Sequence, residues 1–245
     1  MRPDPRRRAT LRRSIALLQA FRVEQSDPDR FYGELAADSV EQLSGYVDLA
    51  GKSVLDVGGG PGYFAAAFRA AGATYISIEA DLGELSARSE PGPGSVLGSA
   101  LALPVRDGSV DVCYSSNVLE HVSDPERMLA EMIRVTRPGG TVYCSYTLWL
   151  SFWGGHETAP WHYLGGHRAR RRFVREHGHE PKNRFGESLF RVSVGGALRW
   201  ARRCPEADVV AVYPRYHPWW ATWLVHVPVL REVVLWNLVV VLRKR

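Results

Sequence analysis

The 245-residue sequence contains only three cysteines, Cys113, Cys144 and Cys204, and they lie far apart. Three widely separated cysteines exclude a disulfide framework, and none of them has the short spacing of a zinc site. Cys113 and Cys144 lie in apolar, strand-like runs and are predicted to be small core residues. This use of cysteine is typical of a protein of the reducing cytoplasm, where we expect this chain to act.

Long uninterrupted apolar runs are also missing. A membrane-spanning helix needs about 20 apolar residues. The most apolar stretch, near the C-terminus, is interrupted by His226, Pro228, Arg231, Glu232 and Asn237. The first residues carry arginines but no apolar signal segment. The sequence therefore predicts neither a transmembrane helix nor a secretory signal.

The net charge of +5 is concentrated at the N-terminus. Residues 1–13 hold six of the 31 basic and one of the 26 acidic residues, so the rest of the chain holds 25 of each. The six are Arg2, Arg6, Arg7, Arg8, Arg12 and Arg13. Such a basic arm suits phosphate or an anionic membrane surface, or it is a solvated tail.

The segment VLDVGGGPGYF, residues 54–64, places an apolar run before Gly58, Gly60 and Gly62 and a helical pattern after them. A strand, a glycine loop and a helix in this order present backbone N–H groups to a ligand. Tyr63 stands where a dinucleotide fingerprint needs its third glycine, and no Lys-Ser or Lys-Thr pair follows for a Walker loop. The spacing disfavours NAD and ATP; a tight turn without a ligand is the alternative.

Five strand patterns alternate with helical patterns up to residue 147, and two more strand patterns follow at residues 208–213 and 235–242. This order predicts an α/β fold, a doubly wound, mostly parallel seven-stranded sheet with helices on both faces. We expect one domain over residues 1–245. Its parts are an N-terminal helical cap (1–50), a ligand-binding core (51–147), a lid inserted after the fifth strand (148–200) and C-terminal strands (201–245).

Glu79 ends the second strand pattern, about 20 residues after the glycine loop. A carboxylate in this place can accept hydrogen bonds from both hydroxyls of a ribose, as in several nucleoside-binding sites. The alternative is an acid favoured by the dipole of the next helix.

Asp56 and the glycines after it form the pattern D-x-G-x-G-x-G, which resembles motif I of the class I S-adenosylmethionine-dependent methyltransferases. The run LALPVRDGSVDVCYSSNVLEHVSDPERMLAEMIRVTRPGGTVYCSYT, residues 101–147, looks like the middle of a small-molecule member of that family, similar to actinobacterial ones. The resemblance implies S-adenosylmethionine as the cofactor and methyl transfer as the activity.

The family's cofactor contacts carry over to the positions that match its motifs. They are Asp56, Gly58, Gly60 and Gly62 for the methionine part, Glu79 and Ala80 for the ribose, Ser99, Ala100 and Leu101 for the adenine, and Asn117 for the methionine end. The family often has Asp where Ser99 stands, and a hydroxyl is a weaker acceptor for the adenine amino group.

Residues 149–193 hold several aromatic residues and five histidines, with glycine pairs that we expect to allow closure over a substrate. A hydroxyl acceptor benefits from a base, and imidazole can take a proton near neutral pH. The candidates are His156 and His162, together with His121 after the fourth strand, which alternatively orients its own loop. The histidine spacings match no zinc template, so no metal ion is predicted.

These features favour an acceptor hydroxyl or carboxyl on a sugar, a lipid or a cell-envelope glycolipid. Trp219, Trp220 and Trp223 beside basic residues suit a membrane interface, so we expect peripheral binding at the inner face of an anionic membrane. A buried tryptophan cluster is the alternative. RNA methylation is a second possible activity, because arginines also bind phosphates. A catalytically silent cofactor-binding sensor or partner subunit is a third possibility. No DNA partner is expected, and the sequence leaves the oligomeric state open.

Overall fold

The computed structural model describes residues 8–24, 26–87 and 91–245. Helices α1 (Leu11–Phe21) and α2 (Pro28–Leu43) precede the sheet. Thr10 and Asp27 cap these helices, because their side chains accept hydrogen bonds from the backbone N–H groups of Arg13 and Arg30. Three residues of the predicted basic arm, Arg2, Arg6 and Arg7, lie outside the described residues.

The remaining elements alternate as the sequence predicts. The strands are β1 (Ser53–Val57), β2 (Thr74–Glu79), β3 (Ser95–Leu97), β4 (Val110–Ser116), β5 (Thr136–Thr147), β6 (Ala207–Pro214) and β7 (Asn237–Lys244). The helices are α3 (Ala65–Ala70), α4 (Leu82–Leu85), α5 (Pro125–Val135), α6 (Gly166–His177), α7 (Val194–Arg203) and α8 (Leu230–Val234).

The strands form one seven-stranded sheet in the order β3-β2-β1-β4-β5-β7-β6. Strands β1 to β5 pair in parallel, and β7 runs antiparallel between β5 and β6. This arrangement confirms the predicted fold class and the final antiparallel hairpin. The chain turns from β1 outwards to β3 and then returns to β4. In sheets of this kind, the ligand crevice lies at the carboxyl ends of the strands beside that reversal.

Side chains alternate between two apolar cores, one on each face of the sheet. Val54 and Tyr114 face the core that contains residues of α1, α2 and α3. Leu55 and Cys113 face the core that contains residues of α5 and α7. Cys113 and Cys144 are buried free thiols, which confirms their prediction as core residues.

Arg13 is part of the fold and not of an exposed basic arm. Its guanidinium pairs with Asp38 (Nε to Oδ1 2.5 Å), and both side chains are largely buried. A second hydrogen bond joins Arg13 Nη1 to the carbonyl of Arg215 at 2.6 Å. Helix α1 is thereby attached both to α2 and to the end of β6, whereas Arg8 and Arg12 are exposed.

Candidate functional site

The glycine loop after β1 adopts a backbone conformation that is unfavourable for residues with a side chain. Gly58, Gly60 and Gly62 have φ values of +78°, +50° and +83°. A Cβ added at Gly60 or Gly62 would meet nothing within 4 Å, so the space beside the loop is open there. At Gly58 a Cβ would lie 2.2 Å from the Val118 side chain, because the segment after β4 packs closely against the loop.

Glu79 is held at the carboxyl end of β2 by backbone N–H groups. Its Oε2 accepts from Gly60 N at 3.1 Å, and its Oε1 accepts from Ala80 N at 2.8 Å and from Asp81 N at 3.2 Å. Asp81, not Glu79, caps α4 by accepting from Glu84 N. Glu79 itself accepts from two N–H groups just before α4, so its ribose contact stays a prediction beside the helix-dipole alternative. A fixed carboxylate beside an open glycine loop fits the ribose and methionine parts of S-adenosylmethionine.

Asp56 lies beneath the glycine loop and is only 2% exposed. Its Oδ2 accepts a hydrogen bond from the hydroxyl of Tyr75 at 2.6 Å. Burial raises the pKa of Asp56 to about 7, the Tyr75 hydrogen bond opposes this, and the nearby charge of Glu79 adds to it. The contacts of Asp56 support the loop from below; a direct cofactor contact stays a prediction.

The residues predicted for the adenine and the methionine end lie at the same edge of the sheet. Ser99 is exposed, and its hydroxyl accepts from Leu101 N at 3.1 Å, while Ala100 is buried. Asn117 directly follows β4 with a φ of +57°. Its Oδ1 accepts from Asn237 Nδ2 at 2.6 Å, so β7 orients this side chain.

Two of the predicted histidines lie together, and a carboxylate that the sequence did not single out joins them. The His121 and His156 rings contact edge to face, with centroids 5.0 Å apart. One ligand-type atom from each of Glu120, His121 and His156 lies within 4.8 Å of the other two. Thr147 N donates to Glu120 Oε1 at 2.9 Å, which places the cluster at the carboxyl ends of β4 and β5.

His156 is well suited to accept a proton or a ligand as the neutral imidazole. Burial lowers its pKa, and the neighbouring His121 lowers the pKa further. Its φ of +48° belongs to the left-handed region, which is uncommon outside glycine. His162 is placed differently, because its ring is 1% exposed and its Nε2 lies 3.1 Å from the carbonyl of Ser151. The geometry therefore favours His156 over His162 as the base.

The inserted segment contacts two helices that lie outside it. Trp153 packs against Phe21 of α1, with ring centroids 5.0 Å apart. Lys182 pairs with Glu84 of α4 at 2.8 Å. A cavity of about 460 Å³ lies within this part of the chain. It is lined by Trp149, Leu150, His162, Tyr163, Leu164, Gly165, Arg191, Val192, Ser193 and Glu232.

Three of the four glycines in the two glycine pairs of this segment are closely packed, whereas Gly165 has a φ of +107° and open space beside it. A Cβ at Gly154 would lie 2.1 Å from the carbonyl oxygen of Trp149, and a Cβ at Gly155 would lie 2.4 Å from His162 Nδ1. Gly166 packs in the same way against the Phe185 ring. These three glycines allow close packing, so they are not evidence for a hinge that closes over a substrate.

Comparison with known proteins identifies the family. The family described as "Methyltransferase domain" matches residues 55–144. An uncharacterized methyltransferase of Mycobacteroides abscessus is 54% identical over a 252-residue alignment that covers 97% of this chain and 96% of that protein. An uncharacterized methyltransferase of Mycobacterium marinum is 53% identical, and the alignment covers 98% of this chain and 97% of that protein.

Solved structures agree with the observed fold. An S-adenosylmethionine-dependent methyltransferase from Mesorhizobium loti has a TM-score of 0.58 at 20% identity, covering 86% of this chain and 97% of that chain. With the glycine loop, the strand order and these relatives, the chain belongs to the class I S-adenosylmethionine-dependent methyltransferases.

Proposed function

We propose that this methyltransferase methylates an oxygen, a hydroxyl or carboxyl, of a sugar or lipid acceptor at the surface of an anionic membrane. The observation that carries the proposal is the convergence of Glu120, His121 and His156 at the carboxyl ends of β4 and β5. Asn117, predicted at the methionine end of the cofactor, lies three residues before Glu120.

The chemistry of the cofactor explains why such a cluster is useful. Bound S-adenosylmethionine supplies a methyl group on a sulfonium, which needs no further activation. The protein then has to align the acceptor oxygen and exclude water. A hydroxyl acceptor also has to lose its proton. An imidazole beside the acceptor can take that proton.

The apolar surface supports an acceptor in or near a membrane. Trp219, Trp220 and Trp223 are 44%, 56% and 57% exposed, so the alternative of a buried tryptophan cluster is wrong. The Trp219 backbone N–H donates to the carbonyl of Ala9 at 2.6 Å, which ties this segment to the start of α1. Leu11 and Ile15 on α1 are exposed as well.

This surface has the composition of an interfacial membrane site. Tryptophan rings and aliphatic side chains favour the lipid boundary, and nearby arginines favour anionic headgroups. Arg8 and Arg12 are exposed on the first described residues. Among the described residues, no helix combines the length and apolarity that a membrane span requires.

RNA has weaker support as the acceptor. Of the five arginines on the basic helix α6, two are paired with acids in the described part of the chain. Arg170 binds Glu180 and Glu187, each within 2.7 Å, and Arg172 binds Glu176 and lies over the Trp161 ring. Because their charges are compensated, these two arginines are poor candidates for phosphate binding.

A fractionation assay tests the proposal. The purified enzyme is incubated with methyl-labelled S-adenosylmethionine and with the lipid, carbohydrate or RNA fraction of cells that make it. We expect label in the lipid or carbohydrate fraction as an ester or ether. A Gly60→Val variant is the control, because the φ of +50° at that position is strongly disfavoured for a β-branched residue. Label in RNA alone, or on nitrogen or carbon, would contradict the proposal.

A further inference from the structure

The geometry points to a divalent-cation site formed by Glu120, His121 and His156. The proposed function does not require a metal, and no zinc-type spacing in the sequence predicts one. The three residues come from two separate segments, the short helix Leu119–His121 after β4 and the short helix that starts at His156. Their ligand atoms nevertheless lie within 4.8 Å of one another.

The hydrogen bonds around the cluster leave the correct atoms for a metal. His121 Nδ1 lies 2.7 Å from the carbonyl of Ser188, which can only accept, so Nδ1 carries the proton. The lone pair of His121 is therefore on Nε2. Metal-binding histidines commonly donate their other ring N–H to a backbone carbonyl in this way, because the bond fixes the tautomer and the ring orientation.

Glu120 is oriented by the same kind of outer contact. Its Oε1 accepts from the backbone N–H of Thr147, while the side chain as a whole is 1% exposed. Its other oxygen, Oε2, is buried and has no hydrogen-bond partner among the described residues. A buried carboxylate oxygen without a partner is costly, and a bound cation would supply the missing partner.

His156 completes the cluster with a second unpartnered atom. Its Nδ1 is also buried and without a hydrogen-bond partner in the described part of the chain. Two unpartnered atoms from different segments, in one cluster with a tautomer-fixed imidazole, form a built site. Packing of a helix end alone does not explain this arrangement.

The ligand set selects the type of ion. Two imidazole nitrogens and one carboxylate oxygen suit Zn²⁺, Fe²⁺, Mn²⁺ or Co²⁺, whereas Ca²⁺ and Mg²⁺ prefer oxygen ligands. Three protein ligands also leave coordination positions open, as in catalytic and not structural sites. Resting on the proposed function, we assign an open position to the acceptor oxygen. In the metal-bound enzyme the ion, and not an imidazole, would then lower the pKa of the acceptor hydroxyl, whose proton would pass to solvent.

Metal binding by the full chain tests this inference without any acceptor. Chelator-treated enzyme is titrated with Zn²⁺ by calorimetry and with Co²⁺ by visible absorption. We expect one saturable equivalent. Glu120→Gln removes the charge but keeps an oxygen that can accept from Thr147 N. His156→Asn removes the imidazole, and asparagine tolerates the positive φ at this position. Substitution of a residue that only hydrogen-bonds to a metal ligand weakens metal binding by roughly 10–100-fold in known sites. Because Glu120 and His156 would be ligands themselves, each substitution should weaken metal binding at least as much.

A surface histidine pair provides the matched control. His177 and His179 are exposed, with ring centroids 6.1 Å apart, and could bind a metal adventitiously. His177→Ala should leave the binding unchanged. Unchanged S-adenosylhomocysteine affinity in the Glu120 and His156 variants shows that they are folded. Each of the two variants is a separate test of the metal site.

Three results would overturn the inference: no saturable equivalent in the wild-type chain, wild-type affinity in both site variants, or loss of the equivalent in His177→Ala. These results leave the proposed function intact, since that function is decided by where the labelled methyl group appears. Conversely, label in RNA would contradict the proposed function and leave the measured metal site in place.

Discussion

The hydroxyl of Tyr75 donates a 2.6 Å hydrogen bond to the carboxylate of Asp56 beneath the glycine loop. Burial raises the pKa of Asp56 from 3.8 to about 7. The native state therefore holds this proton more tightly than the unfolded chain. Its contribution to the free energy of unfolding is complete below about pH 4 and is lost as the pH rises through about 7.

Asp56→Asn should remove this dependence, since an amide stays neutral and still accepts from Tyr75. Between about pH 5 and pH 8, the wild type should lose stability relative to the variant, by on the order of 1–3 kcal/mol. Urea unfolding of both proteins across this range measures the difference, in which other titrating groups cancel. A difference that does not change with pH would mean that Asp56 is ionised throughout.

Glu79→Ala should weaken the binding of S-adenosylhomocysteine by about 1.5–3 kcal/mol, because it removes a charged acceptor for the ribose. Calorimetry measures the affinity. The variant also loses the bond to Gly60 N, so the thermal stability of the free protein is compared as well. Glu84→Ala is the control, since Glu84 lies on the neighbouring helix α4 and pairs with Lys182. Equal affinities in wild type and Glu79→Ala would exclude the ribose contact.

Removal of residues 1–7 should weaken binding to anionic vesicles. This deletion takes away Arg2, Arg6, Arg7 and Asp4 but keeps Arg13, whose pair with Asp38 belongs to the fold. With about 1 kcal/mol for each of the two net charges removed, we expect roughly a 30-fold loss, and a further loss with added salt. Cosedimentation with vesicles rich in anionic lipid measures it.

Trp223→Ser tests the apolar part of the same surface. It should also reduce sedimentation, whereas Trp161→Ser should not, because Trp161 is exposed in the inserted segment and stacked with Arg172. If the intact protein stays in the supernatant at low salt, the membrane proposal is wrong and the exposed tryptophans need another partner.

The fold could be predicted because its signals are local. Asp124 caps α5, Pro125 is the first residue of that helix, and the helix ends at Val135, two residues before Arg137-Pro138. The glycine pattern likewise gives both the turn and its position after β1. The sequence did not show that β5 begins as early as Thr136, because this pairing depends on an irregular register with β4.

The cluster of Glu120, His121 and His156 could not be predicted in the same way. Glu120 and His121 are neighbours in the sequence, but His156 follows 35 residues after His121 and meets them only in the folded chain. The buried Arg215 is a similar case. Its guanidinium donates to Ser39, Ser116 and Ser145, which come from α2, β4 and β5. Contacts of this kind form only in the tertiary structure, so the spacing of residues along the chain does not predict them.

His156 and His162 should respond differently to substitution, although the sequence gives them the same role. His156→Asn should lower turnover by roughly 10²–10⁴ while leaving cofactor affinity and stability nearly intact. This holds whether the ring takes the acceptor proton or holds a cation. His162→Ala should instead lower stability by about 1–3 kcal/mol, because the ring fills a buried space against Gly155 and its Nε2 contacts the Ser151 carbonyl. The loss of turnover in His162→Ala should follow the fraction of the protein that is unfolded.

Turnover on the acceptor and urea unfolding, measured for both variants, separate the two roles. Normal turnover in folded His156→Asn would place the base elsewhere, or leave alignment alone to carry the reaction, as it can for a carboxylate acceptor.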